Sequence, residues 1–492
     1  MNSKNKLDLP VSWKAKEYTI KPLYQQIVDF VCQKIACGEW SIGTKLPPQR
    51  KLAEIFGVNR STVVTAMEEL ASYGIIKSYG RLGTKVEANT WSVMLTSSLD
   101  WGKYINSGAF KANNHIIQEI NRLEFKPNIL RLGTGEIAPD LFPYKMWDKV
   151  LSKISKKHIK FGYLETLGSI QLRQALADHL HKQGMKNITA DNILITSGSL
   201  QGLQLISVGL MQEKAAVYME MPTYLKSLEV FQSAGMKLQG IGLDKQGIKY
   251  WQIPSTVKDI NEKKFPILYT IPTNHNPTGI NMSLSRRQEL IKFCQERQLP
   301  IIEDAAYQEL NFKKVMLPSL KSLDRNDLVI YLGTASKTLA PGLRVGWLVA
   351  TEAIVQRLGD IKMQMDYGTS SISQLILAEF INSGLYEKHL SNLCVELQKR
   401  CNNALAFIKK LFGDIAVWNK PQGGFYIWLT FNKYIPIEKL FFMAVQNNIL
   451  IAPGDVYDFK PNNSLRISYA YLNCEEFGIA ITKLAKIIMK LL

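Results

Sequence analysis

The apolar residues near the N-terminus recur at helical spacing. The stretch PLYQQIVDFVCQKIACGEW, which starts at Pro22, predicts one amphipathic helix with Gly38 as its stop signal. After a turn, QRKLAEIF and RSTVVTAMEELASYG predict two short helices joined by a tight turn at residues 57–59, which is the pattern of a helix-turn-helix. The segments IIKSY and TKVEA, separated by GRLG, then predict a β-hairpin. Together these elements predict a winged helix of the α+β class.

Beyond residue 128 the pattern changes to short, β-branched apolar runs that alternate with helical segments. The runs are NILIT, AAVYME, PILYTI, LPIIED, LVIYLG and GWLVA. Strands that alternate with helices favour a mainly parallel sheet covered on both faces, which is an α/β fold. From about residue 375 the chain is mostly helical, with strands near FYIWLTF and SLRISYA. A smaller C-terminal α+β lobe is therefore expected.

These changes of pattern divide the chain into four parts. We predict an N-terminal arm over residues 1–19, a winged helix over 20–88, a linker over 89–127 and an α/β domain over 128–492. The linker is polar and mixed, with one helix expected around Asn114 to Leu123. A length of 492 residues agrees with a multidomain protein.

Composition narrows the class of protein. With 46% hydrophobic and 21% charged residues, the chain has enough apolar material for a sizeable core. Its 6 cysteines are scattered without a CxxC pair, which argues against a disulfide framework or a zinc site, and no metal is expected. The N-terminus has no apolar core of a signal peptide, and no segment approaches 18 uninterrupted apolar residues. We therefore expect a cytoplasmic protein without a membrane partner.

The charge of the chain is compatible with a nucleic-acid partner. The net charge is +18, and the first 90 residues hold 13 Lys and Arg against 8 Asp and Glu. In a helix-turn-helix the second helix enters the major groove with its first residues at the base edges. Asn59 is the expected N-cap of that helix, and the hairpin reaches an adjacent groove. The predicted DNA-binding residues are Arg50, Lys51, Arg60, Ser61, Thr62, Thr65, Arg81 and Lys85. The alternative is a small helical adaptor whose basic side chains are merely solvated.

Residues 20 to 88 resemble the winged-helix domain of GntR-type bacterial repressors. The resemblance rests on PLYQQI, GTKLPPQRKLAEIFGVNRSTVVTAMEEL, GII and GRLGTKV. Pro48 stands where the family usually has serine, and proline is sterically acceptable at the first position of a helix. The change alters a helix cap and does not change the fold. The resemblance implies that double-stranded DNA is a partner.

The stretch GTASKTLAPGLRVGW surrounds Lys337 with small hydroxyl and apolar residues. A lysine that forms a Schiff base with an aldehyde cofactor needs a carboxylate at the pyridine nitrogen, donors to the phenolic oxygen and an anion cradle. Asp304 ends the apolar strand LPIIED, where a carboxylate is costly unless a cation such as a pyridinium pairs with it. Asn276, in the NPTG turn, and Tyr307 supply the donors to the phenolic oxygen.

A phosphate cradle is predicted where the strand ILIT runs through an SGS turn into an apolar helix. Backbone N–H groups and the positive end of the helix face an anion there. Thr334 and Ser336 add hydroxyls, and Arg344 adds a charge-assisted pair. Tyr224, which follows another strand, can stack on the cofactor ring. Each motif alone is weak, and their joint presence in this order predicts a pyridoxal 5′-phosphate site whose cradle comprises Gly198, Ser199, Thr334, Ser336 and Arg344.

Residues 130 to 492 resemble the fold-type I aminotransferases, the aspartate aminotransferase superfamily. The matching motifs are GYLETLGSIQLR, SGSLQG, NPTG, DAAY, SKTLAPGLRVGW and NSLRISYA. The resemblance implies the roles given above, with Lys337 as the Schiff-base lysine and proton-transfer group. It also implies that Tyr163 reaches the phosphate of the partner subunit and that Arg466 fixes a substrate or effector carboxylate by a bidentate pair. A surface or structural arginine is the alternative for Arg466, and His275 is expected to be a loop residue.

The whole chain resembles the MocR subgroup of GntR regulators, in which a winged helix precedes an aminotransferase-like domain. The resemblance implies a head-to-tail homodimer that binds DNA and senses pyridoxal phosphate, an amino acid or other amine effector, or both. The first alternative is an active aminotransferase that converts amino acids to 2-oxo acids and binds DNA incidentally, since Lys337, Asp304 and Arg466 are all present. The second is a regulator whose only effector is pyridoxal phosphate, with Arg466 unused.

Overall fold

The computed structural model describes residues 13, 21–36, 40, 43–80, 83–87, 107, 115–156, 162–227, 229–254, 265–313 and 316–492. The chain forms two compact units, residues 1–122 and 123–492. Of the predicted arm only Trp13 is described, and the predicted linker is described at residue 107 and from residue 115 onward.

The first unit contains the predicted helices and hairpin. The helices are α1 (Leu23–Ala36), α2 (Gln49–Phe56) and α3 (Arg60–Ser72), and α1 and α2 both pack against α3. Strands β1 (Ile76–Ser78) and β2 (Thr84–Val86) pair antiparallel. The winged helix predicted from the sequence is confirmed. Its core is apolar and includes Trp40, Leu46, Leu52, Phe56, Val63 and Leu70.

The turn between α2 and α3 depends on a glycine. Gly57 has φ 61°, in the left-handed region, and its N–H group caps the carbonyls of α2. The N-cap of α2 differs from the expectation, because α2 begins at Gln49 and Pro48 therefore occupies the N-cap and not the first helical position. Asn59 is the N-cap of α3, as predicted, although its side chain makes no capping hydrogen bond. A further helix, α4 (His115–Leu123), lies where the sequence predicts one.

The second unit is built on an eight-stranded sheet with the order β4-β11-β10-β9-β8-β5-β6-β7. Neighbouring strands from β10 to β6 pair parallel, whereas β11 and the short β7 run in the opposite direction. The α/β fold with a mainly parallel sheet is therefore confirmed. The strands are β4 (Ile193–Thr196), β5 (Ala216–Met221), β6 (Lys237–Asp244), β7 (Gly247–Ile248), β8 (Ile267–Thr270), β9 (Ile301–Asp304), β10 (Val329–Thr334) and β11 (Gly346–Val349).

Strands β8, β9 and β10, in the middle of the sheet, are buried along their whole length, because helices cover both faces of a parallel sheet. This explains why their sequences are continuous apolar runs and not alternating ones. The helices of this part of the chain are α5 (Tyr144–Ile154), α6 (Ile170–Lys182), α7 (Ser199–Gly209), α8 (Val230–Ser233), α9 (Leu284–Glu296), α10 (Leu320–Leu323), α11 (Glu352–Asp366) and α12 (Ser371–Asn382).

The C-terminal part is the predicted α+β lobe. Strands β12, β13, β16 and β15 form a four-stranded antiparallel sheet in that order, and β14 pairs parallel with β3. None of the helices in the described ranges is both long and apolar enough to cross a membrane. The strands are β3 (Leu130–Arg131), β12 (Ala416–Trp418), β13 (Tyr426–Phe431), β14 (Ile449–Leu450), β15 (Ala452–Pro453) and β16 (Ser464–Ser468), and the helices are α13 (Leu385–Phe412), α14 (Ile437–Gln446) and α15 (Cys474–Met489).

Candidate functional site

Most of the predicted site residues lie at or just beyond the carboxyl ends of strands of the large sheet. Asp304 ends β9 and Thr334 ends β10. Loops after β4, β5 and β8 supply Gly198, Tyr224 and Asn276. Because parallel strands end at the same edge of a sheet, side chains scattered along the sequence meet at one place.

The amine of Lys337 is held by a backbone carbonyl. Lys337 Nζ donates a hydrogen bond of 2.6 Å to Gly135 O, and the side chain is half-buried. The lysine lies in the turn that follows β10, whereas Gly135 lies beyond β3. The contact therefore joins the large sheet to a segment of the small lobe, which we call the strap (residues 133–135).

Asp304 is a buried carboxylate that lacks an ion-pair partner within the described residues. Its oxygens accept hydrogen bonds from the Tyr269 hydroxyl at 2.6 Å and the Ala306 N–H at 3.1 Å. Burial raises the pKa of Asp304, and these hydrogen bonds and the charge of Lys337 only partly oppose that effect. A carboxylate in this environment is stabilised by a cation placed against it.

The residues predicted to face the phenolic oxygen have other partners as well. The Tyr307 hydroxyl lies 2.9 Å from the Tyr426 hydroxyl. The amide oxygen of Asn276 accepts from Arg466 Nη1 at 2.9 Å, and the backbone carbonyl of Asn276 accepts from the Tyr224 N–H at 3.0 Å. Burial raises the pKa of Tyr224 to about 12, so its hydroxyl is neutral at physiological pH. Tyr224 and Arg466 thus both contact Asn276.

Arg466 is buried, with only 7% of its surface exposed. Its Nη2 donates to Gly133 O at 2.6 Å, and its guanidinium carbon lies 4.3 Å from the centroid of the Tyr426 ring and 4.8 Å from that of Tyr457. In the described part of the chain, its Nε has no hydrogen-bond partner. The surface reading of Arg466 is therefore wrong, and the guanidinium lies beside the strap that also holds Lys337.

The predicted phosphate cradle is assembled around Arg344. Its Nη2 donates to Ser197 O at 3.0 Å and its Nη1 to Ser336 Oγ at 3.4 Å, while the Ser336 N–H donates to Thr334 Oγ1 at 3.1 Å. Ser199 opens helix α7, whose N–H groups face this region. Gly198 has φ 91°, and a Cβ there would lie 2.6 Å from Arg344 Nη2. Donors and close backbone approach of this kind fit a phosphate group.

Tyr163 is the predicted residue that the structure does not bring to the others. It is 89% exposed, and its ring centroid lies 5.5 Å from that of Tyr367. The expected loop residue His275 is buried beside Thr278, with 2.8 Å between His275 Nδ1 and Thr278 Oγ1. Burial lowers the pKa of His275 to about 3, so the ring is neutral at pH 7.

Sequence reasoning missed the strap and three tyrosines. Gly133 and Gly135 act through carbonyl groups, which no side-chain motif reveals. Tyr269, within the run PILYTI, could have been found as the polar hydroxyl in an otherwise apolar strand. Tyr426 and Tyr457 lie in the small lobe, where no local motif marks them.

A second set of buried polar groups lies behind the lysine turn. His179 Nε2 lies 2.6 Å from Glu309 Oε1, and the Tyr386 hydroxyl lies 2.9 Å from Glu309 Oε2 and 2.8 Å from the Thr338 hydroxyl. Burial lowers the pKa of His179, but Glu309 and Glu387 together outweigh it and raise that pKa to about 10. The imidazole is thus a buried cation. Through Glu309 and Tyr386 it connects α6 to α13 and to Thr338, the residue after the site lysine.

The predicted DNA-binding residues that the structure describes are exposed or half-buried in the first unit. Arg60, Ser61 and Thr65 are exposed on the first turns of α3, with Thr62 half-buried between them. Arg50 and Lys51 are exposed at the start of α2. On β2, the Lys85 ammonium lies 5.7 Å from the centroid of the Tyr79 ring. Arg81 lies outside the described residues.

Both units match known families. Residues 127–484 match the family described as aminotransferase class I and II, and residues 23–86 match the bacterial regulatory proteins of the gntR family. Among solved structures, the α-aminoadipate aminotransferase LysN from Thermus thermophilus, complexed with N-(5′-phosphopyridoxyl)-L-leucine, superposes with a TM-score of 0.70 at 27% identity. That match covers 80% of this chain and 99% of the other.

Two regulators match nearly the whole chain. The HTH-type transcriptional regulator YisV of Bacillus subtilis (strain 168) is 43% identical over 482 residues, which cover 98% of this chain and 99% of YisV. The HTH-type transcriptional regulator NorG of Staphylococcus aureus (strain N315) is 31% identical over 449 residues, which cover 91% of this chain and 100% of NorG. The chain therefore belongs to the family of HTH-type transcriptional regulators that join a gntR-family DNA-binding domain to an aminotransferase class I and II domain.

Proposed function

We propose that this transcriptional regulator holds pyridoxal 5′-phosphate at Lys337, senses an amino acid or other amine beside it, and changes its binding to double-stranded DNA in response. The observation that supports the proposal most strongly is the meeting of Lys337, the buried Asp304 and the Arg344 cradle at one edge of the sheet. In this proposal residues 20–88 bind DNA, residues 89–127 link the domains and residues 128–492 hold the ligands, in the cytoplasm.

The chemistry of the residues fits this cofactor. Bound pyridoxal phosphate supplies an aldehyde that captures amines. Asp304 would keep the pyridine nitrogen protonated, and Arg344 with the N-terminus of α7 would hold the phosphate. Arg466 would bind the effector carboxylate, and Lys337 would hold or move the proton at the reacting amine.

A homodimer with a head-to-tail arrangement is part of the proposal. Tyr163 is exposed, and Tyr367 and Met363 on the same unit are 58% and 42% exposed. Exposed apolar side chains that lie together favour burial in an interface with a second copy of the chain. The dimer would carry Tyr163 to the phosphate site of the partner subunit.

One titration tests the proposal. The purified regulator is supplied with pyridoxal phosphate, and its absorption spectrum is followed with a panel of amines, while 2-oxo acid is assayed in the same tubes. Binding to DNA selected from a random pool is then measured with and without each amine. We expect a spectral change and an altered DNA affinity for at least one amine, without sustained 2-oxo acid release. Absence of a cofactor spectrum would disprove the proposal.

An active aminotransferase is the second candidate, because Lys337, Asp304 and Arg466 are all present, and Lys337 and Arg466 both donate hydrogen bonds to the strap. Sustained 2-oxo acid release would favour it. A regulator that senses pyridoxal phosphate alone is the third candidate. In that case Arg466→Ala would leave the response of DNA binding unchanged.

Gly198→Ala is expected to weaken pyridoxal phosphate binding by about 10-fold or more. Alanine is strained at φ 91°, and its Cβ would push Arg344 out of the cradle. Equilibrium titration of the cofactor absorption measures the effect. Gly384→Ala is the control, since Gly384 also has a positive φ, of 69°, and a Cβ there meets nothing within 4 Å. Equal cofactor affinity in the two variants would contradict this assignment of the cradle.

Arg60→Ala is expected to weaken binding to the selected DNA by about 10- to 100-fold and to relax the sequence preference of binding. The reason is that Arg60 is exposed at the first turn of α3, where a recognition helix contacts base edges. Lys85→Ala should instead weaken binding to selected and unrelated DNA alike, and should reduce the slope of log affinity against log salt concentration by about the value of one phosphate contact. Fluorescence anisotropy at several salt concentrations measures both. If Arg60→Ala weakens the two DNAs equally, Arg60 contacts phosphate and not bases.

A further inference from the structure

A cavity of about 370 Å³ opens next to the proposed ligand site. Phe142, Tyr144 and Trp147 supply aromatic lining, and residues 340–343 supply most of the remainder. Of the described lining residues, Glu136 alone is charged. The volume is within the range of small-molecule sites.

The cavity is tied to Lys337 from two directions. Glu136 directly follows Gly135, whose carbonyl accepts the 2.6 Å hydrogen bond from Lys337 Nζ. Residues 340–343 belong to the same loop as the lysine and lead to Arg344 of the phosphate cradle. The charge of Lys337 also acts to lower the pKa of Glu136, so a molecule whose amine is held at Lys337 lies close to this lining residue of the cavity.

The carboxylate of Glu136 is available for a ligand. Among the described residues its ion-pair partner is Arg131, and the 3.9 Å between Arg131 Nη1 and Glu136 Oε2 is too long for a hydrogen bond. The Arg131 guanidinium also packs 4.7 Å from the centroid of the Tyr471 ring. Burial raises the pKa of Glu136, although Arg131 and Lys337 act in the opposite direction. A further cation near this carboxylate would therefore be stabilising.

The lining suits one class of side chain. Aromatic rings attract cations through their faces, and a carboxylate in a partly dry cavity pairs with ammonium or guanidinium groups. An acidic ligand side chain would be repelled by the like charge of Glu136. A neutral apolar ligand side chain would remove water from the Glu136 carboxylate without supplying a cation or hydrogen-bond donor in return. The complement of this cavity is a cation on an apolar stem.

We propose that the cavity receives the side chain of the amine effector and selects amino acids whose side chain ends in a cation. This inference rests on the proposed function, because it concerns the effector that joins the cofactor at Lys337. It goes beyond the proposed function, because basic amino acids are named as the effector class and Glu136 as the residue that selects them.

Two matched pairs of amino acids test the inference. L-arginine is compared with L-citrulline, and L-lysine with L-norleucine, in absorption titrations of the full chain loaded with pyridoxal phosphate. We expect at least one basic member to act at about 10-fold lower concentration than its neutral partner, as a charge-assisted contact allows. Glu136→Gln should remove that preference without changing the affinity for pyridoxal phosphate. Asp148→Asn, on the exposed face of α5, is the matched control and should keep it.

The outcomes separate the two proposals. If neutral amino acids act as well as basic ones, or if the preference survives Glu136→Gln, the effector class is wrong while amine sensing stands. If no amino acid in a broad panel changes the spectrum of the loaded protein, amine sensing itself is wrong. If Tyr144→Ala changes the oligomeric mass in sedimentation and leaves the preference intact, the cavity belongs to an interface between two copies and the inference is overturned.

Discussion

Lys337→Ala is expected to reduce cofactor absorption that survives dialysis to background and to abolish the response of DNA binding to amines. Lys337 Nζ is held at 2.6 Å from Gly135 O at the edge where Asp304 and the Arg344 cradle meet, and alanine offers no amine to the aldehyde. Binding of ligand-free protein to selected DNA should persist, because the predicted DNA contacts lie in the other unit. Absorption spectra and DNA anisotropy, recorded on the same preparations, check both parts.

Lys337→Arg tests whether the loss in Lys337→Ala comes from the missing positive charge or from the missing amine that bonds to the aldehyde. Arginine keeps a cation that can bind the strap carbonyl, but it cannot form the bond to an aldehyde under these conditions. We expect Lys337→Arg to lose the dialysis-resistant absorption as completely as Lys337→Ala. If either variant retains it together with its response to amines, another lysine holds the cofactor and the assignment of Lys337 is wrong.

His179→Ala is expected to lower the free energy of unfolding of the C-terminal unit by about 3–5 kcal/mol. The substitution leaves the largely buried carboxylate of Glu309 without the imidazolium at 2.6 Å. Three elements are joined by this contact, since Tyr386 links the same carboxylate to Thr338. Denaturant unfolding, followed by a signal of the C-terminal unit, measures the loss.

The same ion pair predicts how stability depends on pH. The pKa of His179 is raised from 6.5 to about 10 in the folded state, so the folded protein keeps a proton that the unfolded chain releases. The stabilisation is fully present below about pH 6.5 and is lost as the pH rises through about 10. His179→Gln should therefore flatten the decline in stability across this window.

A histidine on the same helix provides the control. His181 Nε2 lies 2.6 Å from the backbone carbonyl of Ile188. His181→Gln should retain the decline of the parent protein between about pH 6.5 and 10. A parent-like decline in His179→Gln would show that the pH dependence has another origin.

The fold could be predicted because its elements are encoded locally. The apolar stripe of α3 and the continuous apolar runs of β8 and β9 each reflect the faces that those elements bury. The reversed direction of β11 was not predicted, because GWLVA is an apolar run whatever direction the strand takes. Direction depends on how the chain returns to the sheet, which local pattern does not record.

The candidate site was predicted where side chains stand in recognisable local motifs. Asp304 could be found because a carboxylate at the end of an apolar strand is conspicuous, and Asn276 because it lies in the NPTG turn that follows an apolar strand. Gly135 lies 202 residues from Lys337, and Gly133 lies 333 residues from Arg466. These contacts arise when the small lobe packs on the sheet, so no motif of a few residues could reveal them.

The strap has a consequence for the concentration at which this regulator responds. The carbonyl of Gly133 accepts a hydrogen bond from Arg466 Nη2, and the carbonyl of Gly135 accepts one from Lys337 Nζ. The carboxylate of an incoming effector must displace the Gly133 carbonyl from Arg466, and the cofactor must displace the Gly135 carbonyl from Lys337. The apparent affinity of each ligand is therefore lower than its own contacts would give. Each net hydrogen bond of about 1 kcal/mol raises the half-response concentration roughly five-fold. The strap would thus raise the detection threshold of the regulator. DNA binding would not change at trace concentrations of amine and would change only when the amine concentration is high.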